Sequence, residues 1–176
     1  EIGGGEGVDY DFFPDVLISS GDHLSCSSWD IEAVHTPGHM SNHLCFSLNQ
    51  GEALFSGDLV MGWATTLISP PDGDIGQYIV SLNNLLERKE DFYYPGHGAP
   101  IKNAKQMVLA QLNHRINREK EILRSISVNG SKINEIVDLI YSQLSDSLKI
   151  AAGRNVLAHL IHLYEKGSVL IDSDNI

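Results

Sequence analysis

Three times in this sequence a short apolar stretch runs into glycine beside a residue that can bind a metal: His35-Thr36-Pro37-Gly38-His39, Ser56-Gly57-Asp58 and Pro95-Gly96-His97-Gly98. Each reads as a strand stopping at a turn. Glycine lets the backbone turn sharply there and removes side-chain bulk, so imidazoles and a carboxylate from separate strands can converge on one point. The chain must therefore build a sheet whose strand ends meet. Neutral imidazoles with a carboxylate suit Zn²⁺ or a similar divalent ion.

The intervening sequence supplies that sheet. Strands are expected at residues 16–19, ending at Gly21-Asp22, and at residues 31–36, 43–48 and 53–56, with Asn49-Gln50-Gly51 turning a hairpin between the last two. After a loop rich in Pro, Gly and Asp at residues 69–73, residues 75–86 place Tyr78, Ile79, Leu82, Leu85 and Leu86 on one helical face. A further strand at residues 92–94 stops at Pro95-Gly96. Strands alternating with a helix indicate an α/β layer rather than an all-β barrel. The opening Gly3-Gly4-Gly5-Glu6-Gly7 reads as a loop, and not a phosphate cradle, because no strand precedes it and no Lys-Ser/Thr follows.

Beyond Pro100 the pattern turns helical. Residues 102 to about 126 form one long amphipathic helix with Val108, Leu112, Ile116, Leu123 and Ile126 inward, ended by Asn129-Gly130. Ser131 can cap a second helix with the face Ile133, Ile136, Val137 and Ile140, and a third run at residues 154–166 is closed by Gly167 before a strand-like stretch at residues 168–172. This predicts two units: a first at residues 1–101 and a helical, winged-helix-like one at residues 102–176.

Charge divides at the same place. Residues 1–101 hold 2 basic and 15 acidic side chains, against 10 basic and 8 acidic in residues 102–176. The first part attracts cations and repels phosphate backbones. With no apolar run of membrane-spanning length and no charged-then-apolar leader, a cytoplasmic protein without a membrane partner is expected. Cys26 and Cys45 lie in strand-like stretches and read as buried, reduced thiols.

Together the three clusters resemble the third, fourth and fifth metal-binding motifs of the metallo-β-lactamase superfamily, most strongly its β-lactamase-like protein 2 branch and more remotely the glyoxalase II thioesterases. The likeness covers nearly the whole chain, including Phe55-Ser56-Gly57-Asp58, Tyr94-Pro95-Gly96-His97-Gly98 and His114-Arg115 followed by Arg118-Glu119. It implies the C-terminal half of an αβ/βα sandwich followed by a winged-helix-like domain. It also implies His39, Asp58 and His97 as ligands of up to two Zn²⁺ or other divalent ions, with Asp58 bridging them and serving catalysis. In such a hydrolase a hydroxide held between the ions attacks an ester, thioester, amide or phosphodiester, without a Ser or Cys nucleophile. The family's first signature, His-x-His-x-Asp-His, is absent, which leaves two protein ligands per ion, too few for a closed site. The first residue is Glu1, and a chain that has lost its beginning is expected: inactive alone, and needing the missing half of the fold from the same protein, a cleaved piece or a second chain.

Other residues are open to two readings. His35 and His43 could orient His39 or be hydrogen-bonded strand-end histidines. The loop at residues 61–69, with Trp63, Thr65 and Thr66, could line a substrate cleft, although Trp63 alone reads as a buried core aromatic. His159-x-x-His162 has the spacing of a metal clip but no third ligand, and reads as a helix-surface pair. His114-Arg115 and Arg118-Glu119-Lys120-Glu121 read as a solvated helix face, or as a dock for the tail or an anionic substrate. The substrate could be a small ester or thioester, or single-stranded RNA. The rival readings are a nucleic-acid-binding winged helix and a degenerate, non-catalytic relative; against the first, residues 153–166 offer only Arg154 and Lys166 as bases. The tail is expected to pack over the site or to mediate a homodimer.

Overall fold

In the computed structural model, residues 11–172 are described; the glycine-rich run at residues 3–7 lies outside them. Six strands, β1 (His23–Ser25), β2 (Asp30–His35), β3 (Leu44–Leu48), β4 (Ala53–Gly57), β5 (Phe92–Pro95) and β6 (Ile101–Lys102), form one sheet in sequence order. All neighbours are antiparallel except β4 and β5, which are parallel and joined through helix α1 (Ile75–Glu87). It follows that β2, β4 and β5 point the same way and end at one sheet edge, as the glycine-flanked clusters require.

Residues 16–19 form no strand. Val16 and Leu17 are exposed, and pairing with β2 begins only where Gly21 donates to Ala33 O and Asp22 O accepts from Ala33 N. The first strand comes later, at His23–Ser25. Along β3 and β4 the side chains alternate: Cys45, Ser47, Leu54 and Ser56 are buried, whereas Phe55 and its register partner Tyr94 lie on the open face, stacked at 5.5 Å. The buried face packs on α1, where Asp74 caps the helix by accepting Gln77 N–H at 2.8 Å and Ile75, Tyr78, Leu82 and Leu85 point inward. Ile79 and Leu86 are only partly buried. Cys45 is buried, and burial pushes its thiol up to about 12. Cys26, expected buried, is exposed in the turn after β1.

Helix α2 (Ala104–Ser125) buries Ala104, Val108, Gln111, Arg115 and Ile122, while Ile116 and Leu123, expected inward, are exposed. Its inner stripe is shifted because Gln111 and Arg115 occupy inner positions to bond loop carbonyls. Arg115 is thus fully buried rather than part of a solvated face. Lys132 rather than Ser131 precedes α3 (Ile133–Ile140), its N–H bonded to the Glu135 carboxylate at 2.9 Å. Helix α4 (Asp146–Glu165) begins well before the expected Arg154, and His159 within it is fully buried, not a surface residue. Beyond Gly167, residues 168–172 form no strand. Leu170 and Ile171 there are exposed, with no neighbouring strand among the described residues.

The core has two parts. One lies under the sheet and takes in Leu54, Tyr78, Tyr93, Val108 and Ala158; the other joins the ends of the tail helices through Ile122, Ile136, Val137, Val156 and Leu163. Helix α2 enters both, and Ala158 carries α4 into the first, so the tail is docked on the sheet unit. No described helix is long and apolar enough to cross a membrane.

Candidate metal centre

The three clusters meet at the edge where β2, β4 and β5 end. Asp58 follows β4 directly, His97 lies two residues past β5, and the two turns are tied by Gly96 N donating to Gly57 O at 2.7 Å and Gly62 N to His97 O at 3.0 Å. A Cβ on Gly96 would stand 2.6 Å from Asp58 Oδ1, so any larger residue in the β5 turn would push that carboxylate aside. After β2 the chain crosses α1 at Gly38, where a Cβ would meet Tyr78 Cα at 2.4 Å. That contact, with Asp74 N bonded to Gly38 O at 2.8 Å, seats His39 at the same edge.

Asp58 divides its carboxylate between two imidazoles: Oδ1 is 3.6 Å from His97 Nε2, and Oδ2 is 3.8 Å from His39 Nε2. His39 Nδ1 donates to Leu67 O at 2.8 Å, with the Thr66 hydroxyl 3.2 Å away. A ring proton is thereby placed on Nδ1, with Nε2 turned towards Asp58. A backbone carbonyl fixing the second nitrogen in this way is the usual support of a metal-binding histidine. His97 is 66% exposed. This donor chemistry fits a divalent ion, yet among the described residues no group of three or more His, Cys, Asp or Glu side chains could hold one by itself. The residues place one imidazole against each oxygen of the Asp58 carboxylate.

His43 also stands at this edge, before β3, and acts on Asp58 through the backbone. Its Nε2 accepts Asp58 N–H at 3.2 Å, its Nδ1 donates to Thr36 Oγ1 at 2.9 Å, and the Thr36 hydroxyl donates to Cys45 Sγ at 3.2 Å. Burial above all, and then His39, lowers the His43 pKa, so the ring stays neutral as this chain of bonds requires. His35 Nε2 donates instead to Ser41 O at 2.9 Å, fixing the turn around His39 without touching its ring. In the loop after Asp58, Thr66 is buried against His39, Thr65 is half-buried, and Trp63, expected in the core, is 74% exposed beside Gly98.

Residues 2–97 match the family model of the metallo-β-lactamase superfamily. The chain belongs to that superfamily. Residues 133–175 match the β-lactamase-associated winged helix domain, which overlaps α3 and α4. A β-lactamase-like protein 2 homolog of Drosophila melanogaster is 31% identical over 145 residues, 81% of this chain and 48% of the relative. An atrochrysone carboxyl ACP thioesterase of Aspergillus fumigatus is 34% identical over 150 residues, 77% of this chain and 46% of the relative. In structure, a β-lactamase domain protein from Burkholderia ambifaria superposes with a TM-score of 0.82 at 21% identity, over 90% of this chain and 50% of that one. The chain thus spans about half the length of the superfamily members it matches.

The support of the site was less visible in the sequence than its superfamily motifs. Gln111 donates to the carbonyls of Met61 and Ala64, and Tyr78 to that of Leu59, yet a helix face traced by apolar spacing passes over such residues. Their signal was a polar residue, Gln111, one turn after inward Val108.

Proposed function

We propose that this chain supplies part of a divalent-metal hydrolase acting on an ester or thioester, with His39, Asp58 and His97 as its share of the ligands to two ions, Zn²⁺ or similar. The observation that carries this reading is a carboxylate whose two oxygens face different imidazoles. When bound, such ions bring the pKa of water towards neutrality and polarise a scissile carbonyl. The chain's own part is positional. Asp58 offers one oxygen to each half-site, His39 presents Nε2 from a ring fixed at Nδ1, and His43 holds the Asp58 backbone still. Trp63 and Thr65 stand on the adjoining loop, where a substrate would pass.

Charge favours an acyl substrate over a nucleic acid. The first 101 residues repel phosphates, and several bases of the tail are already engaged: Lys166 with Glu119 at 2.7 Å, Lys149 with Asp138 at 2.6 Å and Arg118 with Glu121 at 2.9 Å. No basic stripe is left on α4 for a duplex. The thioesterase name borne by a relative at 34% identity supports the same choice.

A catalytic zinc takes about three protein ligands, so the reading includes further donors from outside the described residues. The test joins this chain to the preceding half of the fold from the Drosophila relative. A folded chimera should bind two ions and hydrolyse an acyl-N-acetylcysteamine thioester, lose both properties on Asp58→Ala, and leave single-stranded RNA uncut. Two bound ions without cleavage of any ester or thioester would refute the hydrolase reading. Turnover by the 176 residues alone would refute the need for outside ligands.

A further inference from the structure

The loop that follows Asp58 is held largely by its carbonyls. Leu59 O accepts from the Tyr78 hydroxyl at 3.1 Å, Met61 O from Gln111 at 3.3 Å, and Thr66 O from the Arg115 guanidinium. One residue on, Leu67 O accepts the ring proton of His39. On its other side the guanidinium donates from Nη1 to Asn155 Oδ1 of α4 at 3.0 Å. A continuous path of hydrogen bonds and one peptide unit therefore runs from α4 through Asn155, Arg115 and Thr66-Leu67 to a candidate metal ligand.

Arg115 is a costly residue to place there. It is fully buried, its Nε finds no partner, and the groups around it are the Tyr78 ring at 5.2 Å and the neutral, equally buried His159 rather than a carboxylate. Burial lowers its pKa. A guanidinium stripped of water without a counter-charge opposes folding, and an apolar side chain would fill the same space. What an apolar side chain lacks is a rigid fork of donors that reaches acceptors on two different elements at once.

We propose that Arg115 is a positioning residue: through it the seating of α4 sets the orientation of the His39 imidazole. Its use in catalysis rests on the ligand reading of His39, but its test does not. In the metal-free chimera, nitrogen-detected NMR should find His39 in a single tautomer, protonated at Nδ1, with slow exchange of that proton. Asn155→Ala, at a half-buried position, should speed the exchange at least several-fold and admit the Nε2-protonated tautomer. Arg115→Lys, which keeps the charge but cannot span both acceptors, should do so more strongly. The ring of His35, bonded to Ser41 O at the same sheet edge, should not change in either. An unaltered His39 ring in the folded Asn155→Ala protein would overturn the proposal, as would equal changes at His35 and His39, which would mean general loosening. If Zn²⁺ leaves His39 untouched while the tautomer still responds to Asn155→Ala, the coupling stands and the ligand reading fails.

Discussion

At the sheet edge, His39 keeps one ring nitrogen on the Leu67 carbonyl and turns the other towards Asp58, whereas on α4 His159 is fully buried with neither nitrogen partnered. Burial first, and then Arg115 and Arg118, drive the His159 pKa down to about 3. The residue type is the same, and its prospects are opposite. A metal approaching His159 would meet an apolar helix contact flanked by cations and no carboxylate. At His39 it would meet an oriented ring nitrogen and a half-exposed anion. What makes a histidine a candidate ligand is thus the acceptor behind it and the charge in front, not the i, i+3 spacing that His159 and His162 share.

The contrast can be broken most severely at Asp58. In the chimera, Asp58→Ala should weaken Zn²⁺ binding, measured by chelator competition, by more than the about 10–100-fold typical of losing a supporting residue, while His159→Leu should leave it within about twofold. Comparable losses in both would erase the distinction. The next effect is on stability against pH. Because the folded state refuses the proton that the unfolded His159 accepts below about pH 6.5, the unfolded state binds more protons there, and stability falls as pH drops from about 6.5 towards 3. The slope from this one group approaches about 1.4 kcal/mol per pH unit. In His159→Leu that part of the slope should vanish, so urea unfolding at pH 7 and pH 5 should differ by about 2 kcal/mol less than in the parent; identical slopes would mean His159 is not held neutral.

Smaller effects sharpen the site itself. Gly96→Ala pushes a methyl into Asp58 Oδ1 and should lower metal affinity about tenfold, with an unfolding midpoint that moves far less than the affinity does. Trp63→Ala removes an exposed ring, so stability should stay within about 0.5 kcal/mol. In the chimera, if it turns over a thioester, the same change should raise KM more than it lowers kcat; an unchanged KM would take Trp63 out of the substrate's path.

How legible each part was follows from the kind of signal it leaves. Residues 75–86 and 133–140 were readable because their apolar spacing faces one core. The edge bearing His39, Asp58 and His97 was readable because glycine beside a ligand type recurs at successive strand ends. Residues 16–19 misled because Val16 and Leu17 are apolar yet lack a partner strand, and pairing is a property of neighbours rather than of the segment. Two-residue β6 is too short to leave a period. Arg115 was misplaced because its neighbours are charged, and nothing local reveals that a carbonyl 49 positions away will accept its hydrogen bond.

The most direct test is a Zn²⁺ titration of the metal-free chimera followed at the imidazole nitrogens. Nε2 of His39 and of His97 should shift over the same concentration range, with His39 still protonated at Nδ1 and the His159 signals unmoved. Shifts at His159 or His162 before either, or movement of only one of His39 and His97, would contradict a metal centre shared through Asp58.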